Sequence, residues 1–493
     1  MRQSGILMHI TSLPGPYGIG TMGAEAFRFV DFLEAAGQSY WQLLPLNPTG
    51  FGDSPYQSTS TWAGNPYLID LDLLAEAGLL TREELEAVSW CDTPGRVNYG
   101  TLYVERYKIL RLAFRRFHPG EEYAAFCREN DQWLQEYCLF MALKEKNGGA
   151  AWLDWPEKER LHDEAALEAL IPTLSQAMDF HGFLQFQFFR QWNALRSYAA
   201  GKGIRIIGDV PIYVPLDSVE VWAQPELFVL DESRRPTVVA GCPPDAFTED
   251  GQLWGNPIYN WEAMGKTGYR WWINRLSAAA RMYDTVRIDH FRGFESYWEV
   301  PAGDKTAKNG RWVQGPGKDF IRTIRQALPE LDFIAEDLGF VTEGVRELLD
   351  YSGYPGMKLI QFAFDSREES DYLPHLYPVN SVCYTGTHDN TTLLQWLREA
   401  NPEDLNLARA YLGLNREEGY SWGLLRGGMA SVSRLFVAQM QDYLELGAEA
   451  RMNVPGLLSP TNWSWRADKG FASPALAAKI RNMVKIYGRL PKP

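Results

Sequence analysis

Short apolar runs alternate with segments of helical spacing along much of the chain, and several runs end in polar or acidic residues. The stretch 5–13 is apolar, closes on Thr11-Ser12 before the turn-rich Pro14-Gly15-Pro16, and predicts a first strand. Ala26, Phe27, Val30 and Leu33 then recur at helical spacing up to Gly37, and 40–46 predicts a second strand ending at Asn47-Pro48. Runs at 204–214, 284–293, 331–339, 357–364 and 381–390 repeat the strand pattern, with 451–458 as the candidate for the last strand. From 65 to 200 the rhythm changes. There 81–88, 104–117 and 122–145 predict helices, with Thr81 and Glu84 placed as a capping box.

Strands alternating with helices, with polar residues at the strand ends, predict an α/β fold: a (β/α)8 TIM barrel whose site lies at the C-terminal face. The whole chain, 1–493, is expected to be one catalytic domain. It would carry a large, mostly helical insertion at about 65–200 and a loop and helical insertion at about 215–280 covering the site. An open doubly wound sheet is the alternative fold, but no Gly-x-Gly-x-x-Gly turn follows an early strand, so a dinucleotide site is unsupported. Residues 241–261 predict a long polar loop without secondary structure, and its Trp and Tyr residues argue for order and use.

The net charge of −14 argues against nucleic acid and anionic membranes as partners. No run approaches the roughly 20 apolar residues of a membrane helix, and His9 and Pro14 break the short Ile6-Leu-Met8 run, so no signal peptide is expected. Five cysteines without metal-ligand or disulfide-framework spacing fit free thiols in a reducing cytoplasm. The 18 Trp and 24 Tyr fit either a large aromatic core or flat faces for the C–H patches of sugars.

The stretch Asp284-Thr-Val-Arg-Ile-Asp-His-Phe-Arg-Gly293 carries the chemistry. Arg287 and Asp289 lie two apart, so on a strand they share a face. The cation is expected to hold Asp289 ionised and available as a nucleophile. Glu336 and Asp389 end two further strands, so all three carboxyls converge on one space. Acetal cleavage needs two carboxyl groups in different protonation states. Like charge and partial burial would raise Glu336, as a general acid requires. Asp389, beside His388, suits hydrogen bonds to substrate hydroxyls.

Three motifs make this specific: Arg-Ile-Asp-His-Phe-Arg-Gly, Ala-Glu-Asp-Leu-Gly and Thr-Gly-Thr-His-Asp-Asn. They resemble the catalytic regions of the α-amylase clan. The segment with Gly-x-Pro-Pro-Asp and Gly-Gln-x-Trp-Gly-Asn-Pro is narrower. It resembles the 4-α-glucanotransferases of glycoside hydrolase family 77, the amylomaltases or disproportionating enzymes, and the resemblance runs from Ser54-Pro-Tyr56 to Asn462-Trp-Ser-Trp465. It implies retaining transfer of α-1,4-glucan segments from maltooligosaccharide or starch to another glucan or glucose, with cyclic glucans by intramolecular transfer. It also implies Asp289 as nucleophile, Glu336 as acid/base and Asp389 as transition-state stabiliser. Arg287, His388, Asp209 and Tyr56 would surround the −1 sugar. Asp245, Trp254 and Asn256 would lie on the segment over the site, and Asn462 would contact sugar from the last loop. Trp254, Phe247 and Tyr259 would hold a sugar-stacking face that keeps water from the glycosyl-enzyme. The family pattern is departed from at Thr391, where Asp is common, and the chain resembles the minimal form without a long N-terminal extension. No organic cofactor or metal is expected, although the clan often carries a structural Ca²⁺. A hydrolase of the same clan would use the same acids but admit water. A non-catalytic glucan binder would have lost one of them.

Overall fold

The computed structural model describes residues 2–90, 95–244, 249–367 and 370–492. Parallel strands close a barrel in which β-branched and aromatic residues fill the wall. These are β1 (Gln3–Leu7), β2 (Tyr40–Gln42), β3 (Arg205–Val210), β6 (Thr285–Ile288), β9 (Asp332–Ala335), β10 (Gly356–Leu359), β11 (Ser381–Tyr384) and β12 (Leu435–Gln439). Around the barrel the order is β1-β12-β11-β10-β9-β6-β3-β2. The four remaining strands are β4 (Val238–Cys242), β5 (Gln252–Pro257), β7 (Ser296–Pro301) and β8 (Arg311–Gln314), which form a separate antiparallel sheet in the order β5-β4-β7-β8.

Several boundaries depart from the sequence pattern. The first strand stops at Leu7, and Ile10–Ser12 is a 3-10 turn. The eighth barrel strand is β12, not 451–458. Its Leu-Phe-Val-Ala run is buried throughout and pairs with both β1 and β11. In 451–458, Pro455 and Gly456 deny a ladder, and the segment is an irregular turn. Residues 241–261 are not a featureless loop, because β5 and the end of β4 lie within them and pair with each other. The predicted helix 122–145 is two helices, Glu121–Glu129 and Asp131–Lys146, broken at Asn130, whose side chain bonds Phe126 O at 2.8 Å and Trp133 Nε1 at 3.1 Å.

The helix Glu164–Gly201 spans 38 residues and leads into β3. Its buried Gln185 and Gln191 each bond a backbone N–H and C=O, those of Gly64 and Asp70. That fixes the segment after β2 against this helix. At Gly208 in β3 a Cβ would lie 2.1 Å from the Tyr283 ring, so only glycine lets Tyr283 pack there and seat Asp209. The seam between β12 and β1 is covered by the buried Arg489. Its guanidinium donates to the carbonyls of Met429 (2.7 Å), Ser431 (2.9 Å), Ser433 (3.0 Å) and Gln3 (2.8 Å).

Candidate active site

The register of the barrel decides which side chains meet. Asp209 on β3 is the ladder partner of Arg287 on β6, so both project inward at the same level. Arg287 Nη1 donates to both oxygens of Asp209, at 2.7 and 2.6 Å, and to Asp289 Oδ1 at 3.0 Å. On the next strand, Ile288 of β6 pairs with Ala335 of β9, so Asp289 and Glu336 are the residues one step beyond that pair. Glu336 N–H closes the ladder onto Ile288 O at 3.0 Å.

The turn after Asp289 is shaped around Glu336. His290 adopts a left-handed backbone (φ 51°), a conformation that costs about 1 kcal/mol for a residue with a Cβ. Its N–H thereby reaches Glu336 Oε2 at 2.7 Å, while Leu338 N–H holds Oε1 at 2.9 Å. The Glu336 carboxyl is thus fixed by backbone donors on both oxygens.

Tyr56 closes the opposite side. Its hydroxyl donates to Asp209 Oδ2 at 2.8 Å, and its ring stacks on His388 with centroids 5.0 Å apart and planes 17° apart. Trp463, also in the left-handed region (φ 61°), packs at a tilt against both rings. Asp389 follows β11, and its side chain remains 42% exposed to the site. Asn453 Nδ2 donates to its Oδ1 at 2.6 Å, and His388 Nε2 lies 3.4 Å from the same oxygen.

The electrostatics differ from the simple ion pair that the sequence suggests. Burial lowers Arg287, but the carboxylates of Asp209 and Asp289 outweigh it and hold the guanidinium charged. Burial pushes Asp289 up to about 8, with Asp209, Glu336 and Asp389 adding to the rise and Arg287 opposing it. Arg287 favours the ionised form of Asp289, as expected, but it is shared with Asp209 and opposes the effect of burial without cancelling it. Glu336 is also raised, by burial first, against the pull of Arg287 and its two backbone donors. Burial therefore disfavours the charged form of both Asp289 and Glu336. Burial lowers His388, so it stays neutral, and raises the Tyr56 hydroxyl well above its ordinary range.

Asp209, Arg287, Asp289, Tyr56, His388 and Asp389 thus lie in one connected network, and Glu336 adjoins it through the His290 N–H. Trp254 on β5 is half-buried and meets His290 edge-on at 4.8 Å, beside Asp289. Asn256 and Asn462 have their amides committed to backbone. Asn256 Nδ2 bonds Val214 O at 3.0 Å, and Asn462 bonds Val454 N–H (3.1 Å) and Leu457 O (2.8 Å). Tyr259 is buried among Phe228, Trp261, Trp271 and Trp272 and belongs to the core, not to a sugar face. Asp245 and Phe247 lie outside the described residues. Thr391, at the departure from the family pattern, bonds Gln361 through its hydroxyl (3.2 Å) and its carbonyl (2.6 Å). Among the described residues no group of three or more His, Cys, Asp or Glu side chains is placed to hold a metal ion.

Sequence reasoning missed the His290 amide, Asn453 and Arg451. Placing the last strand at 435–439 would have made Arg451-Met-Asn453 part of the loop after it, where site residues of a barrel gather.

A closed parallel barrel with carboxyl groups gathered round one buried guanidinium at its C-terminal face defines a barrel enzyme equipped for acetal chemistry. The family model described as 4-alpha-glucanotransferase, glycoside hydrolase family 77, matches residues 8–471. The chain is 50% identical to the 4-alpha-glucanotransferase of Thermus thermophilus over 502 residues, covering 99% of each chain. It is 47% identical to that of Clostridium butyricum over 486 residues, covering 98% of this chain and 100% of the relative. The solved amylomaltase from Streptococcus agalactiae, in complex with acarbose, superposes with a TM-score of 0.97 at 42% identity over 100% of both chains. The amylomaltase from Corynebacterium glutamicum shares the fold, with a TM-score of 0.77 at 18% identity over 99% of this chain and 74% of that one. The chain belongs to glycoside hydrolase family 77, the 4-alpha-glucanotransferases.

Proposed function

We propose that the glucan transfer runs by double displacement, with Asp289 as nucleophile, Glu336 as acid/base and Asp389 as the carboxylate that stabilises the transition state. The observation that carries this is the placement of Asp289 and Glu336 one step beyond a single ladder pair, with the Glu336 carboxyl held by two backbone N–H donors. Asp289 attacks the anomeric carbon, and the bond to the departing glucan oxygen breaks as Glu336 gives that oxygen its proton. Glu336 then takes the proton from the 4-hydroxyl of an incoming glucan or glucose, whose oxygen displaces Asp289. Asp389 accepts from sugar hydroxyls as positive charge develops on the ring. The Asp209–Arg287–Tyr56–His388 network lines the −1 sugar.

Maltooligosaccharide or starch chains are the donors, and intramolecular attack gives cyclic products. Trp254 offers a sugar-stacking face on which a bound acceptor covers the anomeric carbon, supported by its contact with the turn after Asp289. Residues 65–200 act as an insertion subdomain, and 215–280 as a cover that includes β4 and β5. No helix among the described residues is long and apolar enough to cross a membrane. The thiols of Cys127, Cys138 and Cys383 support a cytoplasmic setting.

The test is incubation with maltotriose, resolving products by length and counting new reducing ends. Elongated and shortened products with few new reducing ends are expected. Extensive new reducing ends with little elongation would make the chain a hydrolase.

A further inference from the structure

Asp389 differs from its partner carboxyls in lying on an open loop, with 42% of its side chain exposed. A carboxylate so placed has several staggered positions open to it. A clamp from the loop after β12 restricts that choice. Asn453 N–H donates to His388 O at 3.1 Å and Asn453 Nδ2 to Asp389 Oδ1 at 2.6 Å. Arg451 Nη2 donates to Asp389 O at 2.7 Å, while its Nε bonds Asn453 O at 2.8 Å. The clamp is itself held from behind. Trp463 N–H bonds Met452 O at 2.7 Å, and Asn462 Oδ1 accepts from Val454 N–H at 3.1 Å.

We propose that Asn453 is a positioning residue for the transfer reaction, fixing the Asp389 carboxylate through Oδ1 so that Oδ2 faces the sugar. Arg451 holds the Asp389 backbone, and Asn462 acts at one remove by bracing the turn that carries Asn453. The amide is suited to this role because it donates without adding charge. A lysine there would neutralise Asp389 and weaken its attraction for the charge that develops on the sugar ring. The inference rests on the assignment of Asp389 as the stabilising carboxylate.

Two variants test it, each checked for folding by its thermal unfolding midpoint. Asn453→Ala frees the carboxylate and is expected to lower kcat by about 10- to 100-fold, the scale of a roughly 1 Å misplacement, with KM for maltotriose changed much less. Asn453→Asp keeps the shape but sets two carboxyls within hydrogen-bonding distance. Near pH 8 they repel, and at lower pH one proton shared between them restores the bond. The ratio of variant to wild-type kcat should therefore rise at least about threefold from pH 8 to pH 5, which loss of packing alone would not produce. A kcat for Asn453→Ala within about twofold of wild type, or a flat ratio for Asn453→Asp, overturns the proposal. If Asn453→Ala does not fold, the pH response of Asn453→Asp decides. Asp389→Asn separates the two levels. Its inactivity beside normal Asn453 variants sinks this inference alone, whereas its full activity sinks the assignment of Asp389 and this inference with it.

Discussion

On the β3–β6–β9 side of the site, position follows from strand register. Asp209 and Arg287 are ladder partners, and Asp289 and Glu336 continue a pair. Charge there is crowded, with Asp209 and Asp289 sharing one guanidinium, and burial raises both Asp289 and Glu336. On the β11 side, Asp389 sits on a loop, faces solvent and is held by a neutral amide and by backbone. The first wall sets protonation. The second wall sets direction without altering charge. The difference matches the tasks proposed for them, since proton transfer needs a shifted acid whereas charge stabilisation needs a fixed anion.

The sharpest break comes from Asp289→Ala. Turnover should fall by about 10⁴-fold or more on every donor, because no covalent intermediate forms, and steady-state rates on maltotriose and on α-maltosyl fluoride measure it. Activity above about one per cent of wild type on either donor would remove Asp289 from the role.

Glu336→Gln should lose about 10²- to 10⁴-fold on maltotriose yet recover partly on α-maltosyl fluoride, whose leaving group needs no proton. In the wild type, a raised Glu336 that must be protonated to act as the acid should show as an alkaline fall in kcat/KM on maltotriose. That alkaline limb should be absent in Glu336→Gln. Equal losses on both donors would argue that Glu336 is not the proton donor.

Trp254→Ala is expected to act more gently. It should raise the ratio of hydrolysis to transfer by several-fold, read from new reducing ends against product lengths, with smaller change in total donor consumption. An unchanged ratio would leave the indole as a pin for the turn at His290.

The smallest effect concerns stability and separates the walls by sign. Asp289 titrates higher folded than unfolded, so the folded chain binds the extra proton. The unfavourable contribution is absent near pH 4 and grows as the pH rises towards about 8. Asp289→Asn should therefore raise the unfolding midpoint, by roughly 1–3 °C at pH 8 and by nothing measurable near pH 4. A gain that is the same at both pH values would trace the effect to packing, not to titration.

Strands ending in an acid were legible in the sequence, because an apolar run followed by Asp289, Glu336 or Asp389 carries both a period and a chemical marker. β12 has no such marker, since its run ends at Gln439. β4 and β5 were hidden by Gly and Pro, and β4 pairs on its other side with β7, far along the chain. The 38-residue helix was masked by Pro172 and by Gly182, where a Cβ would come within 2.6 Å of the Tyr123 hydroxyl. The carboxyls themselves were readable. Which carboxylate the guanidinium chiefly serves was not, because the pairing of Arg287 with Asp209 is a fact of register between residues 78 apart in the chain.

The Arg489 seam has a consequence for the order of folding. Closing the barrel requires Gln3 to pair with Leu435, and the residue that bridges them lies 486 positions from Gln3. Closure entropy rises only slowly with loop length, so the distance is thermodynamically tolerable, but such remote pairing is kinetically late. Until then β1 and β12 are open edges, each offering an unpaired ladder to another chain. Arg489 satisfies four carbonyls at the point where those edges meet. It works as a latch: refolding chains that lack it would dwell longer in an open-edged state, where association between molecules competes with closure.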